Sequence, residues 1–252
     1  MDKIALGCKE YVSEVLAKKF ELDEYLEEST ILLNTYENNR VWDFMILMDN
    51  KWFKYEFAHL YSEYFVVDDH EHEPPVFTRV KNYKWLTENF AKRLPVALWI
   101  FQNVIVIQEK ENLFSQIIVE QQEKFNRVFL DIIERKYLEM RGDRHNLRYS
   151  VDRVGDLANI LLKANIVKLC FEISLLADKK PYPFRTLLPD YTKENATNGH
   201  SVFPLAQEFL VTMEPEKTIA LSEKLIDCIV TTLQEKKFYS DEFLLKWWLY
   251  IH

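Results

Sequence analysis

Glycine is scarce in this sequence, which has four in 252 residues. None lies between Gly7 and Gly142. Backbone cradles for phosphate depend on glycine, because it allows close backbone approach and a positive φ at low cost. The first half of the chain therefore excludes a P-loop, a dinucleotide-binding fingerprint and a kinase-type glycine loop.

Cysteine is also scarce, and the three residues present, Cys8, Cys170 and Cys228, are far apart in the sequence. They show no paired spacing and lie in apolar segments with helical periodicity. No zinc motif is present. We expect the thiols to be buried as small hydrophobic groups in a reducing compartment.

Long apolar runs are missing as well. Asp2 and Lys3 follow Met1, and the longest apolar stretches are interrupted by Lys163, Lys168 and Glu172. This pattern excludes a convincing membrane span and does not support a signal peptide. We therefore expect a cytoplasmic protein.

The net charge is −8, from 40 acidic and 32 basic residues. This charge argues against nonspecific binding to nucleic acid, although a local basic patch is still possible.

Apolar residues, by contrast, make up 48% of the chain and aromatic residues 14%, which is enough for a large core. Their periodicity changes near residue 110. Before that point the pattern predicts strands at residues 29–34, 41–48, 52–57, 60–67 and 104–107, and helices at residues 3–19, 82–93 and 96–101. Beyond it the pattern predicts a loop at residues 189–200 and helices at residues 112–140, 146–178, 202–212, 215–235 and 240–251.

These elements predict an α+β fold. Residues 1–110 are expected to form a domain with a small mixed sheet flanked by helices, and residues 111–252 a helical bundle domain. Gly142 is expected to end the helix over residues 112–140, as a C-cap glycine does. Asp49 and Asn50 suit a tight turn between two strands.

Two carboxylates lie on otherwise apolar faces of predicted strands. Alternation places Asp43 on one face with Val41, Met45 and Leu47, and it gives Glu63 apolar neighbours in the same way. A buried carboxylate without a partner costs several kcal/mol, so each must be paired, metal-bound or near the strand edge. The sequence leaves open a shared site for a divalent metal and, alternatively, local ion pairs.

The order of these elements resembles the nucleotidyltransferase superfamily, and in particular its minimal and kanamycin-type branch. The segment RVWDFMILMDN at residues 40–50 is similar to the family's second strand, with Asp43 at the second aspartate of the motif. Glu63, in the segment SEYFVVDD, stands near the third acid. Asn34 and Thr35 stand where the family has Gly-Ser, and Val41 stands at the first aspartate.

The resemblance implies a function. In an active protein of this kind, Asp43 and Glu63 would be the catalytic and metal-binding residues that hold Mg²⁺, with Asn34 and Thr35 next to a nucleoside triphosphate. Losing one aspartate and the Gly-Ser pair implies a degenerate site. We therefore expect a nucleotidyltransferase-like protein with impaired or lost transfer, which retains binding of nucleotide and Mg²⁺. The alternative is a noncatalytic interaction module that acts through the helical domain.

Two polar clusters and an aromatic one remain. The histidines and acids of DDHEHE at residues 68–73 are of the metal-ligand type, but they also suit a solvated loop. The arginines at residues 141–148 either receive an acidic partner or form local ion pairs. At the C-terminal end, residues 244–250 contain six large apolar side chains, more than one helix face covers. This density predicts a homodimer.

Overall fold

The computed structural model describes residues 3–16, 18, 28–34, 41–55, 67–152 and 157–251. The chain divides into two compact units, Met1–Glu123 and Lys124–His252. The domain boundary expected between residues 110 and 111 remains a prediction.

The first unit contains a five-stranded sheet. Its strands are β1 (Thr30–Asn34), β2 (Trp42–Met48), β3 (Val67–Asp69), β4 (Val76–Asn82) and β5 (Val104–Gln108). Its helices are α1 (Lys3–Tyr11, continued by a π-helix over Val12–Leu16), α2 (Asn50–Tyr55) and α3 (Tyr83–Gln102). The strand order is β3-β4-β2-β1-β5. The sheet is mixed, because β2 and β4 are parallel while the other neighbours are antiparallel.

The second unit is helical. A long helix, α4 (Leu113–Ser150), begins in the first unit and ends in the second. The helices that follow are α5 (Leu157–Ala177), α6 (Leu188–Asn195), α7 (Gly199–Val211), α8 (Pro215–Lys236) and α9 (Asp241–Leu245), with a 3₁₀ helix over Trp247–Tyr250. The predicted fold class is confirmed: the chain is α+β, with a small mixed sheet followed by a helical bundle.

The strands β1 and β2 are buried on both faces, which explains their nearly continuous apolar sequences. On one face they form a core with the residues around α1. Its members include Cys8, Tyr11, Val12, Ile31, Leu33, Phe44, Ile46 and Met48. On the other face Leu32, Met45 and Leu47 are equally buried. The strands predicted at residues 29–34, 41–48 and 104–107 are confirmed as β1, β2 and β5.

The strand predicted at residues 52–57 is wrong, because Asn50–Tyr55 is a helix. Asp49 explains the difference. Its Oδ1 accepts a hydrogen bond from the backbone N–H of Lys51 at 2.7 Å, and its carbonyl oxygen accepts one from the N–H of Phe53 at 3.0 Å. An aspartate in this place satisfies the free N–H groups of a first helical turn. The strand predicted at residues 60–67 lies outside the described residues, except for Val67.

Gly142 does not end a helix, because α4 continues to Ser150. A glycine inside a helix costs roughly 1 kcal/mol relative to alanine. Buried side chains before and after it stabilise the continuous helix and offset that cost. They are Tyr137, Met140, Arg144 and Leu147.

Two further predictions in the helical unit are wrong in part. The loop expected at residues 189–200 contains α6, whose Leu188 and Thr192 are buried four residues apart on one helical face. The polar composition of the segment gave no sign of that face. The helix expected at residues 240–251 begins as predicted, with Ser240 Oγ accepting from the N–H of Phe243 at 3.2 Å. It ends at Leu245 and gives way to the 3₁₀ helix.

All three cysteines are free. Cys8 and Cys170 are buried as predicted, and Cys228 is partly buried. Burial raises the pKa of the Cys8 thiol to about 11, so the thiol stays protonated and unreactive at neutral pH. Among the helices of the described residues, none is both long and apolar enough to cross a bilayer.

Candidate functional site

Asp43 lies near the start of β2, the central strand of the sheet. It is opposite Asn34 of β1 in the strand register, and Asn34 Nδ2 donates a hydrogen bond to Asp43 Oδ2 at 2.9 Å. From β4, Arg79 Nη2 lies 2.7 Å from Oδ1 and 2.5 Å from Oδ2 of the same carboxylate. The sequence required a partner for this buried acid, and the partner is an arginine on the neighbouring strand.

The Asp43–Arg79 ion pair is largely withdrawn from water. Only 14% of the Asp43 side chain and 17% of the Arg79 side chain are exposed. At this depth a charge-assisted hydrogen bond is stronger than on the surface, and losing one partner leaves a poorly solvated charge. Both carboxylate oxygens of Asp43 accept hydrogen bonds from protein groups, which makes the residue a poor ligand for a metal in this arrangement.

A second cation lies on the same face of β4. Arg79 and Lys81 are two residues apart, so their side chains point to one side of the sheet. Lys81 is buried, and burial lowers the pKa of its ammonium group, as does the nearby charge of Arg79. The face that contains Asp43 is thus richer in positive than in negative charge among the described residues of β2 and β4.

Of the four predicted site residues, the structure describes two. Asn34 and Asp43 are brought together at 2.9 Å. Thr35 and Glu63 lie outside the described residues, so their part in the site remains a prediction. Sequence reasoning missed Arg79 and Lys81, because it assigned no strand to residues 76–82. The sequence VFTRVKN at residues 76–82 does contain the pattern of a strand, because small or branched residues alternate with larger and charged ones.

Comparisons with known proteins address the fold. No model of a known protein family matches the sequence, and no curated protein matches it either. Among solved structures, a nucleotidyltransferase-like protein from Exiguobacterium sibiricum is similar, with a TM-score of 0.50 and 10% identity. The alignment covers 91% of this chain and 78% of that one. The chain has a nucleotidyltransferase-like fold. At this identity the similarity extends to the fold alone, and the expected relationship is supported at that level.

The side chains of the histidine-rich segment at residues 68–73 contact neighbouring residues of the first unit. Tyr11 donates from its hydroxyl to Asp69 Oδ2 at 2.9 Å, and Asp69 Oδ1 accepts from the backbone N–H of His72 at 3.2 Å. The His72 ring packs against Tyr11 and Trp42, with centroid distances of 4.7 and 4.8 Å. Burial, together with Asp69, raises the pKa of Tyr11. Within the described ranges no three potential metal ligands come together.

The arginine-rich segment at residues 141–148 lies within α4. Its arginines form ion pairs and aromatic contacts with other residues of the helical unit. Arg144 and Arg148 both form ion pairs with Glu223 of α8. The Arg141 guanidinium lies over the rings of Tyr137 and Trp247, 5.8 and 5.4 Å from their centroids. These contacts agree with the local ion pairs that the sequence left open.

Proposed function

We propose that this chain is a nucleotidyltransferase-like protein that has an impaired or lost transfer activity and still binds a nucleotide. The observation that supports the loss is the ion pair between Asp43 and Arg79. Two-metal phosphoryl transfer needs carboxylate oxygens that can bind Mg²⁺, and here both oxygens of Asp43 accept hydrogen bonds from Arg79. Val41 stands at the other aspartate position of the strand.

The same face supports retained binding of an anionic ligand. Arg79 and Lys81 are cations on β4, and Asn34 supplies an amide on the adjacent β1 side of Asp43. Cationic side chains bind phosphate oxygens without a metal. The proposed binding mode therefore contains no metal-dependent step. Mg²⁺ binding would require Asp43 to leave its ion pair with Arg79; in that case Asp43 and Glu63 are the proposed ligands, with Asn34 and Thr35 next to the phosphates.

Calorimetry tests this proposal. Titration with ATP, GTP, CTP and UTP, each with and without Mg²⁺, is expected to give binding for at least one nucleotide, with an affinity that Mg²⁺ changes less than tenfold. A parallel assay with labelled nucleotide is expected to show no covalent transfer. Asp43→Asn should alter the binding, whereas Asp131→Asn, an exposed acid in the other unit, should leave it unchanged.

Two results would decide against the proposal. Efficient Mg²⁺-dependent transfer would show that the site is intact. No heat with any of the four nucleotides, from protein that is folded by circular dichroism, would favour the second candidate.

The second candidate is a noncatalytic interaction module that acts through the helical unit. The observation that favours it is the exposed apolar end of the chain, where four large side chains are each more than half exposed: Leu245, Trp248, Leu249 and Ile251. Their neighbours Phe243, Leu244 and Trp247 are buried. Exposed apolar patches of this kind mark interfaces, and we propose self-association into a homodimer.

Light scattering tests the homodimer. At micromolar concentrations we expect a mass near twice the 30.3 kDa of one chain. Trp248→Glu is expected to shift the protein to the monomer, because a charge would be desolvated at the interface. The control is Val119→Glu, which adds the same charge at an exposed apolar position of α4. A mass near that of one chain for the wild type would show the dimer to be wrong.

A further inference from the structure

The helical unit contains a cavity of about 530 Å³ between α4, the middle of α5 and the start of α6. The side chains of Val167, Phe171 and Leu188 form an apolar floor and are almost fully buried. Leu161 lines the mouth and is exposed. The volume is within the range of sites for small molecules, and apolar walls with a few polar groups are typical of such sites.

Two cationic side chains line this apolar cavity, Lys168 and Arg185. Within the part of the chain that the structure describes, no carboxylate forms an ion pair with Arg185. The helix α6 begins at the same wall with Leu188 and Pro189, and its N-terminus has no side-chain cap. The positive end of the helix dipole lies at this wall, partly offset by Asp190 in the first turn of α6.

Lys168 is only partly neutralised. Glu172 Oε1 lies 3.8 Å from Lys168 Nζ, but Glu172 Oε2 is 2.6 Å from Lys136 Nζ, so one carboxylate serves two ammonium groups. Three cations (Lys136, Lys168 and Arg185) and three carboxylates (Asp143, Glu139 and Glu172) lie in and around the cavity; Asn165 Nδ2 donates to Glu139 Oε1 at 2.8 Å as well as to Asp143. Of these three cations, Arg185 alone forms no ion pair within the described residues, so its guanidinium marks the place for an anion.

Among the described residues, Asp143 is the one acid that lines the cavity. Its Oδ2 accepts a hydrogen bond from Asn165 Nδ2 at 2.7 Å. Burial raises the pKa of Asp143, as does the nearby charge of Glu139, and the hydrogen bond from Asn165 and the charge of Lys168 only partly oppose this. Its carboxylate therefore has internal partners and does not cancel the charge of Arg185.

We propose that this cavity binds a small amphipathic carboxylate, with the apolar body on Val167, Phe171 and Leu188 and the carboxylate at Arg185 and Lys168. The volume accommodates an aliphatic chain of about eight carbons with room to spare, and the apolar floor suits it. A guanidinium binds a carboxylate through two parallel hydrogen bonds, which favours an acid over an alcohol of the same length. This site is separate from the proposed nucleotide site on the sheet and does not depend on it.

Calorimetry on the full chain with three probes of equal length tests the inference. Octanoate is expected to bind at least tenfold more tightly than 1-octanol, and octylamine not measurably. Arg185→Gln should weaken octanoate roughly tenfold and leave 1-octanol unchanged, because it removes one charge-assisted contact. Arg127→Gln removes an exposed arginine of α4 that does not line the cavity and is the matched control.

A second variant tests the location. Ala164 lines the cavity and is exposed, so Ala164→Trp fills the space without disturbing the buried core. Octanoate binding should be lost, while the thermal unfolding midpoint stays within a few degrees of the wild type. Equal affinity for octanoate and 1-octanol, no binding of octanoate by the wild type, or unchanged binding in Ala164→Trp would each overturn the proposal.

Discussion

Replacing Arg79 by methionine is expected to lower the free energy of unfolding by about 3 kcal/mol. Methionine keeps much of the buried stem but removes the guanidinium that contacts both oxygens of Asp43. The carboxylate then stays in the centre of the sheet with a large desolvation cost. Urea unfolding followed by circular dichroism measures the effect.

A double variant separates the ion pair from the packing around it. In Asp43→Leu/Arg79→Met both charges are removed, so we expect a smaller loss than in Arg79→Met alone. Lys84→Met is the surface control: its pair with Glu88 spans 4.0 Å and is exposed, so it should change stability by less than about 0.5 kcal/mol. If Arg79→Met were equally mild, the pair would not stabilise the sheet.

The second large effect is expected at Asp178, just after α5. Its side chain is 8% exposed and holds together three parts of the helical unit. Lys236 Nζ of α8 donates to Oδ1 at 2.6 Å, and the backbone N–H of Thr197 donates to Oδ2 at 2.6 Å. Asp178→Asn should cost about 2–3 kcal/mol, because it removes the charge and forces an amide donor against other donors.

The pH dependence gives this prediction a specific signature. Burial alone would raise the pKa of Asp178, but the hydrogen bonds from Lys236 and Thr197 outweigh it and hold the pKa below its usual value. The charged carboxylate therefore stabilises the fold above the pKa of an unfolded aspartate, about 4, and this contribution is lost as the pH falls through the lower folded pKa.

The measurement compares unfolding free energies of wild type and Asp178→Asn between pH 7 and pH 3. The difference should be constant down to about pH 4 and shrink below it. Asp131→Asn, at an exposed aspartate, should show little difference at any pH. A difference for Asp178→Asn that stayed constant down to pH 3 would mean that the charge of Asp178 is not what stabilises the unit.

Two of the three predicted strands that the structure confirms, β1 and β2, are buried on both faces, whereas β5 is partly exposed. β1 and β2 have continuous apolar runs, and such runs indicate buried strands whatever their neighbours are. β4 was missed because it places Arg79 and Lys81 on one face, and only the neighbouring Asp43 explains why charges belong there. A short stretch of sequence does not show which distant segment it will pair with in the sheet.

For the candidate site, too, only part could be predicted from the sequence. The argument that Asp43 needs a partner follows from its apolar neighbours, but the identity of the partner depends on the parallel register of β2 and β4. Local signals were also outweighed by packing. Glycine is common at the C-terminal ends of helices, which is why Gly142 was expected to end one, but buried residues on either side keep the helix continuous.

The position of β5 in the sequence determines when, during synthesis, the edge of β1 becomes covered. β1 is fully buried and mostly apolar, and β5 covers the edge of β1 that β2 leaves open. An uncovered apolar edge is a template for pairing with other chains. Because β5 lies some seventy residues after β1, a nascent chain exposes this edge until Gln108 has been made. A shortened chain that lacks β5 should therefore form β-rich aggregates, whereas at the opposite edge of the sheet β3 is only three residues long and offers little to pair with.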